Sequence, residues 1–187
     1  MGYVDQGWLQ KDGKYSIKSG YIWRLGRTEK WPWSRWIWNK RNIPKHSFIC
    51  WLAGHGRLLT RMRMRKMGIT QDTMCTICDR APETVEHLFF ECQFSKECMK
   101  IIVNWLSIGI QNFTLQGIWR RLTRGIKGEE CRNQMNAILV ALIYYIWKAR
   151  NEALWHQRVP KPGKVCAQVQ QECRLRLENN DRKEGRK

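Results

Sequence analysis

The clearest hydrophobic pattern in the chain lies near its C-terminal end. From Ala137 to Trp147 nearly every residue is apolar, while the flanks on either side mix charge with apolar residues at helical spacing. That pattern predicts one long helix over 129–156, buried nearly all round in its middle. Pro160, Pro162 and Gly163 should end it, an amphipathic segment should follow over 165–177, and the charged stretch 179–187 is expected to be a disordered basic tail. Upstream, Ile101, Ile102, Trp105 and Leu106 recur at intervals of three and four, as on one face of a helix starting near Ser95. A break is expected over 109–112, a further helix over 115–123 and a loop over 125–128. Pro44 suits the first turn of a helix through Phe48, Ile49 and Leu52, which Gly54 and Gly56 would break. Trp33, Trp36 and Ile37 share helical spacing within 33–40. The alternation over 13–19 follows the turn-forming pair Asp12 and Gly13, and predicts a short strand over 15–18. Ser19 can then cap a helix to about Leu25, with a polar loop over 26–30.

One segment reads both ways. Arg61, Met62, Arg63, Met64 and Arg65 alternate as a strand would, yet Thr60 is a good N-cap and Gly68 a good residue beyond a helix end. The local caps favour a two-turn helix with Arg61 and Arg65 on one side. The fold class expected from these elements is mainly α. It divides into an N-terminal strand and helix segment over 1–30, a helical domain over 31–110, a C-terminal helical region over 111–178, and the tail over 179–187.

Chemistry enters at Cys75 and Cys78, with His87 and Cys92 further on: a C-x2-C-x8-H-x4-C array. Two thiolates two residues apart can share an ion through a tight knuckle, and a second pair closes a tetrahedral shell, which is the pattern of structural zinc. A short helix over 83–90 should present His87. Cys98 is an alternative fourth ligand if the following helix starts early. Cys50, Cys131, Cys166 and Cys173 stand apart from histidine and read as core. No basic, apolar and small-residue sequence of a secretory leader opens the chain, so reduced thiols in an intracellular setting, nuclear or cytoplasmic, are expected.

The charge balance is lopsided, with 34 Lys and Arg against 16 Asp and Glu, a formal net charge of +18. That excess implies a polyanionic partner, with RNA or DNA ahead of an anionic membrane surface, because no apolar run is long enough to span a bilayer. Arg57, Arg61, Arg63, Arg65 and Lys66 form the densest basic group before the tail and are the candidate phosphate contacts. Eleven tryptophans add large apolar area. Trp31, Trp33, Trp36 and Trp38 are interleaved with cations and so could stack on bases, but core packing is the expected role of that group.

Read in order, Gly13 to Tyr21, Ile37 and Trp38, Ile43 to Lys45, Phe48, Trp51 and Leu52, Gly56 to Leu58, Thr60 and Arg61, then the cysteine pair and Glu83 to Cys92 with its Glu-Thr-Val-Glu-His-Leu-Phe-Phe-Glu-Cys run, resemble the zinc-binding domain of reverse transcriptases in plant non-LTR, LINE-type retrotransposon polyproteins. The likeness covers about residues 8–110, and Ile146 to Asn151 extends it into the long helix. It implies that Cys75, Cys78, His87 and Cys92 bind zinc, and that the reverse transcriptase domain of a polyprotein is a possible partner. It also implies a polymerase site built on a Tyr-x-Asp-Asp sequence elsewhere in such polyproteins. The aspartates of this chain, at 5, 12, 72, 79 and 181, are never paired, so the two-metal chemistry that needs clustered carboxylates has no candidate here. Glu86 and His87 do not make a zincin helix either. The expected function is therefore a non-catalytic zinc-binding, nucleic-acid-binding module. The alternative is a zinc-stapled docking or scaffolding module of the polyprotein that does not touch nucleic acid.

Overall fold

The computed structural model describes residues 34–107 and 128–184. The strand expected over 15–18, the helix over 19–25, the loop over 26–30, the break over 109–112 and the helix over 115–123 lie outside the described residues. Two units divide the chain, 1–34 and 35–187, and nearly all that follows belongs to the second.

Helix α1, Ser34–Ile37, is shorter than the expected 33–40. Its end is taken over by asparagine side chains. Asn42 Nδ2 donates to the carbonyls of Trp36 (2.8 Å) and Ile37 (2.6 Å), and Ser47 Oγ donates to Ile37 O at 2.5 Å. Carbonyls satisfied by side chains have no need of a further helical turn. Trp36 is buried, as the core reading of the tryptophans requires, but Trp38 stands exposed.

Helix α2, Pro44–Gly54, starts at its proline and ends where the sequence predicts. Gly56 then adopts φ +61, a left-handed conformation that glycine takes at little cost, and the chain doubles back so that the Arg57 and Leu58 amides donate to Leu52 O. Helix α3, Arg61–Lys66, settles the two-way segment in favour of helix. Thr60 Oγ1 accepts from Arg63 N at 3.3 Å, and Gly68 takes a left-handed φ of +72 beyond the end.

Residues 73–83 fold back on themselves through the isolated bridge between Met74 and Pro82, with Cys75 N donating to Ala81 O and Glu83 N to Thr73 O. A short helical turn follows, with π geometry over His87–Glu91. It begins after Glu83, which is buried but outside the helix instead of its first residue; Thr84 Oγ1 accepts from His87 N at 2.9 Å and takes the capping role. Helix α4 is Gln93–Trp105, α5 is Glu129–His156 with the expected limits, and α6 is Pro162–Glu184. Gln157 in the left-handed region ends α5. Helix α6 starts before the expected 165 and continues through Glu184 into the segment read as a tail, although Asn179, Asn180 and Asp181 there are weak helix formers.

Helix α5 is the centre of the packing, lying against α2, α6 and, less extensively, α4, while α6 also packs along α4. Ile138 to Ile143 are all buried, and Ile146, Ala149, Arg150 and Ala153 then carry the burial along one face. Val165, Cys166 and Val169 of α6 and Phe94, Cys98, Met99, Ile102 and Val103 of α4 are buried as well, α6 packing against both α5 and α4. Each fully buried Leu, Ile or Val contributes about 1.5–3 kcal/mol, so this joint supplies a large share of the driving force for folding. Among the described residues, no helix is long and apolar enough to cross a membrane.

Candidate metal centre and its basic flank

Cys75 and Cys78 sit in the turn that Asp79 closes, its amide donating to Cys75 O at 2.8 Å with φ 51. His87 arrives from the π-helical turn, and Cys92 is the residue that caps α4. One donor atom from each of Cys75, Cys78, His87 and Cys92 lies within 4.8 Å of the other three. All but Cys78, which is half-buried, are buried. Three sulfurs and one imidazole nitrogen form a soft, closed tetrahedral set of the kind that suits zinc.

The electrostatics around the sulfurs support that fit. The amides of Ile77 and Cys78 hydrogen-bond to the Cys75 sulfur, and those of Phe94 and Ser95, in the first turn of α4, to the Cys92 sulfur. Backbone donors and a helix N-terminus both favour thiolate. Cys75 and Cys92 also hydrogen-bond to each other, which lowers the Cys92 thiol and raises that of Cys75, with burial raising Cys75 further. His87 Nε2 is 3.3 Å from the Cys78 sulfur, while its Nδ1 faces the Glu91 carboxylate at 3.9 Å.

Cys98 does not join the group. It is buried further along α4, hydrogen-bonded with Cys166 of α6, whose thiol in turn donates to Cys98 O at 3.4 Å. Cys50 and Cys166 are core residues as expected and Cys173 is half-buried, whereas Cys131 is exposed.

Glu83 is the residue that the sequence reading did not single out as part of the site. It is 0% exposed, and its carboxylate meets the guanidinium of Arg150, itself 2% exposed, with Nη2 to Oε1 at 2.7 Å and Nε at 3.0 and 3.2 Å from the two oxygens. The same carboxylate accepts from Arg61 N at 2.9 Å and from Thr76 Oγ1 at 3.1 Å. One buried acid thus joins the knuckle, the start of α3 and the long helix α5. Spacing carried half of the signal: Ile146, Arg150 and Ala153, at steps of four and three, place the arginine on the buried stripe of α5, though not its partner.

The basic residues divide by their surroundings. Arg61 is ion-paired with Asp72 and its Nε donates to Thr76 Oγ1. Arg63 Nη1 donates to Gly56 O at 2.8 Å, and the guanidinium of Arg57 lies over the Trp51 ring, 5.8 Å from its centroid. Arg57, Arg65 and Lys66 are exposed, while Arg61 and Arg63 are half-buried. Residues 30–71 contain ten Lys and Arg and no Asp or Glu, an excess of positive charge that Glu130 and Asp72 offset at Arg41 and Arg61.

Comparison with known proteins matches residues 15–98 to the family model described as zinc-binding in reverse transcriptase. Neither the curated proteins nor the solved structures gave a match. The matched segment contains the knuckle and all four candidate ligands, together with α1 to α3 and the first half of α4. Over residues 15–98, then, this mainly helical chain matches the zinc-binding domain of reverse transcriptases.

Proposed function

We propose that this chain is a non-catalytic module of a LINE-type retrotransposon polyprotein, acting in the nucleus or cytoplasm beside a reverse transcriptase domain, in which Cys75, Cys78, His87 and Cys92 hold one zinc ion and the adjoining basic flank binds RNA or DNA. Bound zinc would close the four-ligand shell and supply folding energy, about 10–16 kcal/mol in small zinc-finger peptides near neutral pH. A shell completed by protein ligands keeps no position for substrate, which favours a structural role.

The observation that carries the nucleic-acid reading is the attachment of α3 to the knuckle. Arg61 donates from its backbone to Glu83 and from its side chain to Thr76, which lies between Cys75 and Cys78. A basic helix fixed to the metal turn presents Arg65 and Lys66 outward as phosphate contacts, with Arg57 exposed on the turn before it. Arg61 and Arg63 add charge to the same surface while holding the helix in place. No Asp or Glu lies within 30–71, and Asp72 just beyond it pairs with Arg61.

The test is the salt dependence of binding to a random oligonucleotide. Affinity should fall linearly in a double-logarithmic plot, with a slope of about −0.9 for each phosphate neutralised on duplex or about −0.7 on a single strand. Reversing Arg57, Arg65 and Lys66 to Glu should abolish binding and leave metal content intact. Absence of binding at low salt, or affinity indifferent to salt, would mean that the phosphate-gripping role is wrong; docking to the reverse transcriptase domain that survives the charge reversal would then favour the scaffolding role.

A further inference from the structure

The solvent side of α2 carries aromatic rings that the fold does not bury. His46, Ser47 and Cys50 turn one face of this helix to the core, which leaves Phe48 50% exposed on another. Phe48 stacks on Trp51 with ring centroids 5.9 Å apart and planes 22° from parallel, and His55 meets the edge of Trp51 at 4.9 Å. The reversal at Gly56 brings the Arg57 guanidinium over the same indole. Arg63 of α3 then hydrogen-bonds to Gly56 O, so the aromatic row and the basic helix are neighbours joined at one turn.

We propose that Phe48, backed by Trp51, is a stacking platform for an unpaired base, and that the nucleic acid taken by this chain is single-stranded where it crosses α2. The proposal rests on the nucleic-acid reading above and adds to it the strand state and the residue that senses it. Aromatic rings among cations accept bases by their faces without regard to sequence, whereas the bases of an intact duplex are already stacked on each other. Charge selects this occupant over a basic peptide or a second copy of the chain. The platform sits within 30–71, which has no acidic residue and repels any basic surface, including its own. A strand whose phosphates lie along Arg57, Arg65 and Lys66 passes the turn at Gly56 and has a base within reach of the rings.

Fluorescence anisotropy of the zinc-loaded full chain tests this with three labelled probes of one length: a homopyrimidine single strand, the same strand with abasic sites, and a duplex. The intact single strand should bind most tightly. Phe48→Leu should weaken it about tenfold, within the range of base–aromatic stacking, while leaving the duplex, the abasic strand and the salt slope as they were. Phe48→Tyr, which keeps a ring, should bind as the parent does. Phe48 is exposed, and equal zinc content and far-UV circular dichroism of the variants will report that the fold is retained. If Phe48→Leu binds the intact strand as well as the parent does, or if the parent does not distinguish intact from abasic strands, the platform is wrong although the phosphate contacts stand. If no probe binds at low salt, both readings fail together.

Discussion

His46 shows what a single buried side chain can impose. It is 1% exposed between α2, α5 and α6, its ring 4.2 Å from that of Tyr144, with its Nε2 3.7 Å from Glu172 and without a hydrogen-bond partner. Tyr145 Oη donates to the same Glu172 carboxylate at 2.7 Å. Burial pushes the imidazole down from 6.5 to about 4, against the pull of Glu172 and with help from Lys45 and Arg176. The folded value is depressed, so between those limits the unfolded chain binds more protons. The stability that neutral His46 allows is complete above about pH 6.5 and is lost as the pH falls toward 4, by at most about 3 kcal/mol. His46→Gln should therefore flatten the difference in urea midpoint between pH 7 and pH 4.5 relative to the parent, the comparison cancelling acid effects at other groups. At the metal centre, Cys92→Ser should reduce tightly held zinc to well below one equivalent, and Cys98→Ser should leave it at one, as measured by elemental analysis of the purified reduced protein. Equal zinc in the two variants would count against the ligand set.

At the scale of elements, the Glu83 and Arg150 pair decides how the parts are joined. Removing one member of a buried ion pair costs about 3–5 kcal/mol because the other is left charged and without compensation. Arg150→Met should destabilise the zinc-loaded chain by that amount in urea denaturation. It should also weaken zinc affinity in a competition with a chelator, since Glu83 holds Thr76 of the knuckle. Adding Glu83→Gln should recover part of the stability, because the neutral amide still accepts from Arg61 N and no longer strands a charge. A double variant no better than Arg150→Met alone would show that the carboxylate is not what the arginine neutralises.

The whole molecule depends on surfaces outside the segment that matches the family. The core-facing residues of α4 are covered by α6, and Cys50 of α2 lies against α5, its thiol 3.8 Å from Val140 O. A protein ending at 107 would expose Ile102, Val103, Phe94 and Met99, and would leave Glu83 without its cation. Such a truncation is expected to bind zinc but to lack a fixed tertiary structure, visible as poor amide dispersion in NMR and dye binding to exposed apolar surface. A well-dispersed spectrum from 1–107 would show that the C-terminal helices are an independent addition.

Some of this was determined by sequence alone because it depends on neighbours along the chain. The cysteine and histidine spacing fixes a knuckle, the caps Thr60 and Gly68 fix α3 against its strand-like alternation, and the apolar run of α5 fixes that helix to its limits. Tertiary structure alone decided what depends on distant partners. Asn42 and Ser47 shorten α1 by reaching back to its carbonyls, Glu83 leaves the predicted helix to meet an arginine far along the chain, and Cys98 turns to α6 instead of the metal site. Local spacing encodes local geometry. Which buried charge finds which partner is set by how helices pack, and no periodicity in the sequence specifies it.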